Sequence, residues 1–213
     1  MKKFHPLLLV FTVLVLTAIA CQSTSTESPP EGILFRDDFE DTSSGWDQVN
    51  VDEGITDYED GHYRMFVNTA NTDAWANPGL DFQDVIVEVE ATKVGGPDDN
   101  DLGVLCRYQD VNNFYFFIIS SDGFYALGRV INGEQELLGM ESMLTSDVIR
   151  QGNATNTIVG ECVGETLTLK VNGEELAIAS DSEFIRGDVG LIAGTFSTAG
   201  TDIHFDNFVV REP

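Results

Sequence analysis

Glu88 and Glu90, in the run Val-Glu-Val-Glu, fall on the same face of an extended strand about 6.6 Å apart by rise. Two carboxyls flanking a sugar linkage at about 6.5–9.5 Å suit inverting hydrolysis, and at about 5–5.5 Å the retaining kind. The flanking residues are those of a solvated strand face, which makes catalysis the weaker use of this pair. A Ser-His-Asp set is poorly supported, since His62 follows Gly61 in a turn and His204 sits in an alternating terminal run. Asp98-Asp-Asn-Asp-Leu-Gly103 opens like a calcium loop, but Leu102 takes the fifth position and Gln109 stands where a bidentate Glu is required, so it reads as a hairpin loop. Stacking on a sugar face needs flat rings, and binding hydroxyls needs planar polar groups. Trp75 in the polar stretch Thr72–Pro78, Arg107 on an apolar strand, and Tyr115 and Tyr125 on neighbouring strands are the candidates for that chemistry. Each also has a structural use: the ring as an end plug, Arg107 paired with a buried acid, both Tyr in the core. Trp46, after Gly45, reads as core.

The elements that would position these residues are strands. Val85, Val87, Val89 and Ala91 alternate with Ile86, Glu88, Glu90 and Thr92; Leu167, Leu169 and Val171 alternate with Thr166, Thr168 and Lys170. Asp60-Gly61, Asn132-Gly133 and Asn172-Gly173 mark tight hairpins between such runs. Asn113–Ser120 is apolar on both faces and reads as a central strand covered on each side. Ser142–Ile149 is the one place where a helical turn is expected. About twelve strands in one chain imply an all-β, antiparallel two-sheet sandwich.

The formal charge is −25, and both Lys2 and Lys3 lie in the leader, so the remainder is more acidic still. Such a surface repels phosphate backbones and anionic headgroups, which excludes nucleic acid as a partner and leaves a lipid anchor as the only membrane contact. Lys2-Lys3, then the apolar run Leu7–Ala20, then Cys21 resemble a bacterial lipoprotein signal with its lipobox, Ala18 replacing the commoner Leu. The run is too short to cross a ~30 Å hydrocarbon core as a helix. The resemblance implies a signal over 1–20, lipidation at Cys21, a polar tether over 21–32, a folded domain over 33–213, and export with lipid anchoring to the cell envelope. Cys106 and Cys162 then remain as either a disulfide or two buried thiols, and export favours the disulfide.

Leu34-Phe-Arg-Asp-Asp-Phe39, Gly45-Trp46, Asp60-Gly-His-Tyr63, Gly103–Tyr108, Ser121–Tyr125, Leu169–Gly173 and Thr201–Val210 occur in that order. The succession resembles bacterial extracellular domains of the concanavalin A-like, laminin G-like and sugar-hydrolase-related jelly rolls. The resemblance implies a jelly roll whose first and last strands pair, with a concave face that binds glycan. It also implies a structural Ca²⁺ held by Asp37 or Asp38 and by Asp206. The Glu-x-Asp-x-(x)-Glu run of laminarinase-type hydrolases lacks its third acid here, where Glu88-Val-Glu90 runs into Ala91-Thr92-Lys93. A non-catalytic glycan-binding lipoprotein is the leading expectation. The alternatives are a structural or protein-binding lipoprotein with an extracellular protein partner, and a glycan hydrolase.

Overall fold

The structure, a computed structural model, describes residues 32–213; the signal, Cys21 and the tether lie outside the described residues. All regular elements there are strands. In chain order they begin β1 (Ile33–Asp37), β2 (Val49–Val51), β3 (Gly54–Glu59), β4 (His62–Val67), β5 (Thr72–Ala76), β6 (Val85–Gly95) and β7 (Asn100–Asp110). They continue β8 (Asn113–Ile119), β9 (Phe124–Ile131), β10 (Glu134–Leu137), β11 (Leu144–Thr145) and β12 (Thr155–Val163). The last are β13 (Thr166–Val171), β14 (Glu174–Ser180), β15 (Asp188–Thr195) and β16 (Thr201–Arg211). The helical turn expected near Ser142–Ile149 is a single turn over Ser146–Ile149, in which Ser146 O accepts from Ile149 N at 3.3 Å, and it follows the short strand β11.

Two antiparallel sheets form. A nine-stranded sheet runs β14-β13-β12-β6-β16-β4-β3-β2, with β1 on β16; a seven-stranded sheet runs β10-β9-β8-β7-β15-β5, with β11 on β9. Three hairpins have two-residue loops at the dipeptides that mark them in the sequence. Asp60-Gly61, Asn132-Gly133 and Asn172-Gly173 all take positive φ at both positions, the twist that matches the flanking strands.

The sandwich closes on its own ends. β1 pairs with β16, aligning Asp37 with Phe208. Trp46 then packs between Phe39, at 5.4 Å, and Phe208, at 4.9 Å between ring centroids. Its indole N–H donates to Asp37 Oδ2 at 2.9 Å, so the buried carboxylate and the buried ring satisfy one another. Each such ring contributes about 1.5–3 kcal/mol by leaving water. Cys106 on β7 and Cys162 on β12 are joined as a disulfide, Cα atoms 6.7 Å apart, tying one sheet to the other.

Alternation in β8 serves two cores. Tyr115, Phe117 and Ile119 enter the inter-sheet core, whereas Phe114, Phe116 and Ile118 join Leu105, Ala126 and Ile192 in a second apolar cluster on the other face of the seven-stranded sheet.

Candidate functional site

That second cluster makes the outer face of the seven-stranded sheet unlike an ordinary solvated sheet face. Register aligns its residues in rows. Trp75, Ile192, Gly103, Ile118 and Ala126 form one; Gly190, Leu105, Phe116, Gly128 and Leu137 form the next. Gly128 has no room for a side chain, because a methyl would stand 2.5 Å from Glu136 O and collide with the Phe116 ring. Met140 and Met143, from the segment after β10, pack against this face.

A third row carries charge. Gly194 on β15 is flanked by Asp73 on β5 and Asp101 on β7, and its missing side chain leaves the space in which their carboxyls meet. Burial first, then the neighbouring Asp73 charge, holds the Asp101 carboxyl well above the usual carboxylate range; burial also raises Asp73. Asp101 is buried, and its Oδ1 receives no hydrogen bond from the described chain.

The pair lies at one end of a cavity of about 370 Å³ whose walls include Ile118, Leu137, Met143 and Phe196, with Asn71 and Gln135 supplying amides. Asn71 N donates to Phe196 O at 2.7 Å, which fixes the turn beside the opening. An apolar wall, planar amides and a fixed acceptor pair can hold a polyhydroxylated ring by face contact and directional hydrogen bonds.

The four residues expected to line one ligand site do not come together. Trp75 lies on the outer face, half-buried, its ring 5.5 Å from Phe114 and its indole N–H 3.3 Å from Tyr108 Oη. Arg107, by contrast, is 1% exposed and donates to the carbonyls of Gln83, Phe184 and Gly164 and to Asp84 Oδ1. Its positive φ of 51° coincides with a bulge in β7, which breaks the alternation that would have put it outside. Tyr115 faces the inter-sheet core; its hydroxyl donates to Asp181 and accepts from Phe184 N at 3.1 Å, and burial followed by Asp181 pushes it up to about 12. Tyr125 also faces that core. Arg107 and Tyr115 thus meet at Phe184, on the far side of the sheet from Trp75, and they hold the fold.

Asp73 and Asp101 are the functional candidates that the sequence reading missed. The stretch around Trp75 is strand β5, not a loop, and β7 starts at Asn100, inside the expected hairpin loop. The signal was the alternation itself: Thr-Asp-Ala-Trp-Ala puts Asp73 beside Trp75, and Asp-Leu-Gly-Val-Leu puts Asp101 in line with Gly103 and Leu105.

The other acids serve elsewhere. Glu88 pairs with Arg211 at 2.7 Å and Glu90 accepts from Asn207 Nδ2 at 3.1 Å, both on the outer face of the nine-stranded sheet. Asp37, Asp38 and Asp206 do not assemble as the expected calcium set. Asp37 spends both oxygens, on Phe39 N and on Trp46, and Asp206 Oδ1 accepts from Asn207 N. Among the described residues no group of three or more His, Cys, Asp or Glu gathers in a metal-binding arrangement.

No family model matches the chain, and no curated protein matches it. Solved structures do match in fold. A carbohydrate-binding module, CBM66, from Bacillus subtilis superposes with a TM-score of 0.64 at 16% identity, over 79% of this chain and 96% of that one. A galectin-like protein of unknown function from the same species gives 0.61 at 10% identity, over 85% and 96%. The catalytic domain of an endo-1,3-β-glucanase (laminarinase) from Thermotoga petrophila gives 0.59 at 10% identity, over 84% and 97%. Together with the two antiparallel sheets, these place the chain among the jelly-roll β-sandwiches, as its succession of strand motifs implies.

Proposed function

We propose that this protein is a non-catalytic carbohydrate-binding domain, exported and held to the bacterial envelope by lipid on Cys21, which takes extracellular glycan on the outer face of its seven-stranded sheet. The observation that carries the reading is the cavity on that face, where the walls of Phe196, Met143 and Leu137 stand beside the amides of Asn71 and Gln135 and the Asp73–Asp101 pair. A sugar presents the matching surfaces, with apolar C–H faces and hydroxyls around the ring edge. The fold supports it further: the B. subtilis structure that superposes is a carbohydrate-binding module. Trp75 borders the same face and extends the apolar surface beyond the cavity.

A glycan array probed with the purified protein tests the reading. Saturable binding to one glycan class, lost in Phe196→Ala and Gln135→Ala and weakened in Trp75→Ala with melting temperatures unchanged, is the expected result. A flat array together with a stable protein partner would replace it with a protein-interaction lipoprotein. Anchoring is tested separately: the protein should incorporate labelled fatty acid in cells, and Cys21→Ala should abolish incorporation.

A further inference from the structure

The Asp73–Asp101 pair narrows the ligand. Two carboxyls meet beside Gly194 among the residues that line the cavity. None of the described residues lining the cavity is Lys, Arg or His. Asp101 is buried and lines that cavity, and its Oδ1 receives no hydrogen bond from the described chain. A buried acceptor left open and a charge left uncompensated are both costly, and a ligand that brings hydrogen-bond donors on a cation removes both costs at once.

Two kinds of cation could do so, and the cavity distinguishes them. A hard metal ion takes six to eight oxygens. The acids here number two, with Asn71, Gln135 and Thr195 as the other polar lining residues, and the rest of the walls are the apolar side chains of Ile118, Ala126, Leu137, Met143 and Phe196. About 370 Å³ of largely apolar space is far more than an ion fills, and it suits a sugar ring. A primary ammonium has three donors on a point charge, enough to serve both carboxyls, while the ring that carries it packs against Phe196 and Met143.

From this geometry we infer that the cavity selects amino sugars with a free amine, placing the ammonium on Asp73 and Asp101 and the pyranose face against Phe196. The inference rests on the carbohydrate reading given above and specifies the ligand class of that same cavity. N-acetylation would remove the charge and add a group that cannot approach the pair, so the acetylated sugar is the discriminating control.

The experiment is calorimetric titration of the purified protein at near-physiological salt, where long-range attraction to an acidic surface is screened beyond about 8 Å. The probes are the β-1,4-linked glucosamine dimer and its N,N′-diacetyl counterpart. The free amine should bind at least about tenfold more tightly, equivalent to about 1.4 kcal/mol. Asp73→Asn and Asp101→Asn, each isosteric, should bring the two affinities within about twofold by the same measure, with melting temperature preserved in at least one of them. Asp60→Asn, which removes a charge from the β3–β4 turn, should leave the preference intact. Equal affinity of the two dimers in the native protein overturns the inference, as does a preference that survives both Asn variants. So does saturable Ca²⁺ binding abolished by Asp73→Asn, since the pair would then belong to a metal. If neutral glycans bind and Phe196→Ala abolishes that binding while no amine preference exists, only this inference fails. If no glycan of either kind binds, the carbohydrate reading fails with it.

Discussion

Removing the Cys106–Cys162 bridge should cost about 4 kcal/mol. The bridge spans 56 residues of sequence, and closing a loop of that length removes about 14 cal/mol/K of chain entropy from the unfolded state. In a protein of this size each kcal/mol corresponds to about 2–4 °C, so Cys106→Ala/Cys162→Ala should melt about 8–16 °C below the native protein. Either single substitution already loses the whole bridge. The two single losses should therefore sum to about 4 kcal/mol more than the double loss, a coupling far beyond that of independent sites. Calorimetric melting of the four proteins, with thiol titration of each after unfolding without reductant, measures all of this. A double variant within about 2 °C of the native protein would refute the reasoning, given that scale of 2–4 °C per kcal/mol. Additive single losses, or two titratable thiols in the native chain, would refute it equally.

Other substitutions probe the sites one at a time. Arg107→Lys should cost about 2–4 kcal/mol in urea unfolding, because one ammonium cannot serve three separated carbonyls and Asp84 as the guanidinium fork does. Trp46→Phe keeps the ring but strands Asp37 Oδ2 without its indole donor; a loss of about 1–3 kcal/mol is expected. Gly194→Ala should abolish glycan binding, since the methyl would stand 2.5 Å from Asp101 Oδ2 and collide with Asp73, and binding retained at native affinity would contradict the site. Asp101→Asn should alter how stability depends on pH. Burial raises the folded carboxyl above the ordinary value of an exposed Asp, so the stability from its protonated form is complete below that ordinary value and is lost as pH rises through the raised folded value. The Asn variant does not titrate at that position, and its melting temperature should gain on the native protein progressively as the pH rises above about 4. A gap independent of pH would exclude the buried carboxyl.

The fold was more legible in the sequence than the site, and the reason lies in which signals are local. Asn132-Gly133 and Asn172-Gly173 specify their hairpins because positive φ at two successive residues is a property of the dipeptide. The strand Asn113–Ile119 could be read as doubly covered because every position from Phe114 to Ile119 is apolar or aromatic. Arg107 could not be placed. Its face depends on a bulge whose left-handed residue is an arginine, and nothing nearby in sequence marks it. The expectation that Tyr115 and Tyr125 share one face with Arg107 rests on strand adjacency alone. Parity sends them inward, and parity counts only from a strand start that β5 and β7 conceal in polar stretches. The Asp73–Asp101 contact is less visible still, since it needs β15 to lie between two strands distant in sequence and to present a glycine at one register position.

The two outer faces of the sandwich differ in a way that favours the proposed recognition on one of them. On the nine-stranded sheet the charged side chains complete one another: Glu88 with Arg211, Arg64 with Asp202 and Glu59, and Lys170 with Glu161. Exposed pairs of this kind contribute about 0–1 kcal/mol each and leave few directional groups free for a partner. The seven-stranded face is built oppositely. Its apolar cluster shields the carboxyl pair from water, which raises the cost of an open acceptor and strengthens any hydrogen bond made to it. Covering the face with a hydrophobic layer would bury the charge without relieving it, whereas a polar ligand with a hydrophobic side meets both demands. Asp101→Leu should therefore stabilise the fold while abolishing ligand binding, since the packed apolar side chain removes the desolvated carboxyl together with the acceptor. Urea unfolding and glycan titration of that variant should move in opposite directions; a variant that loses stability along with binding would show that the pair is part of the scaffold.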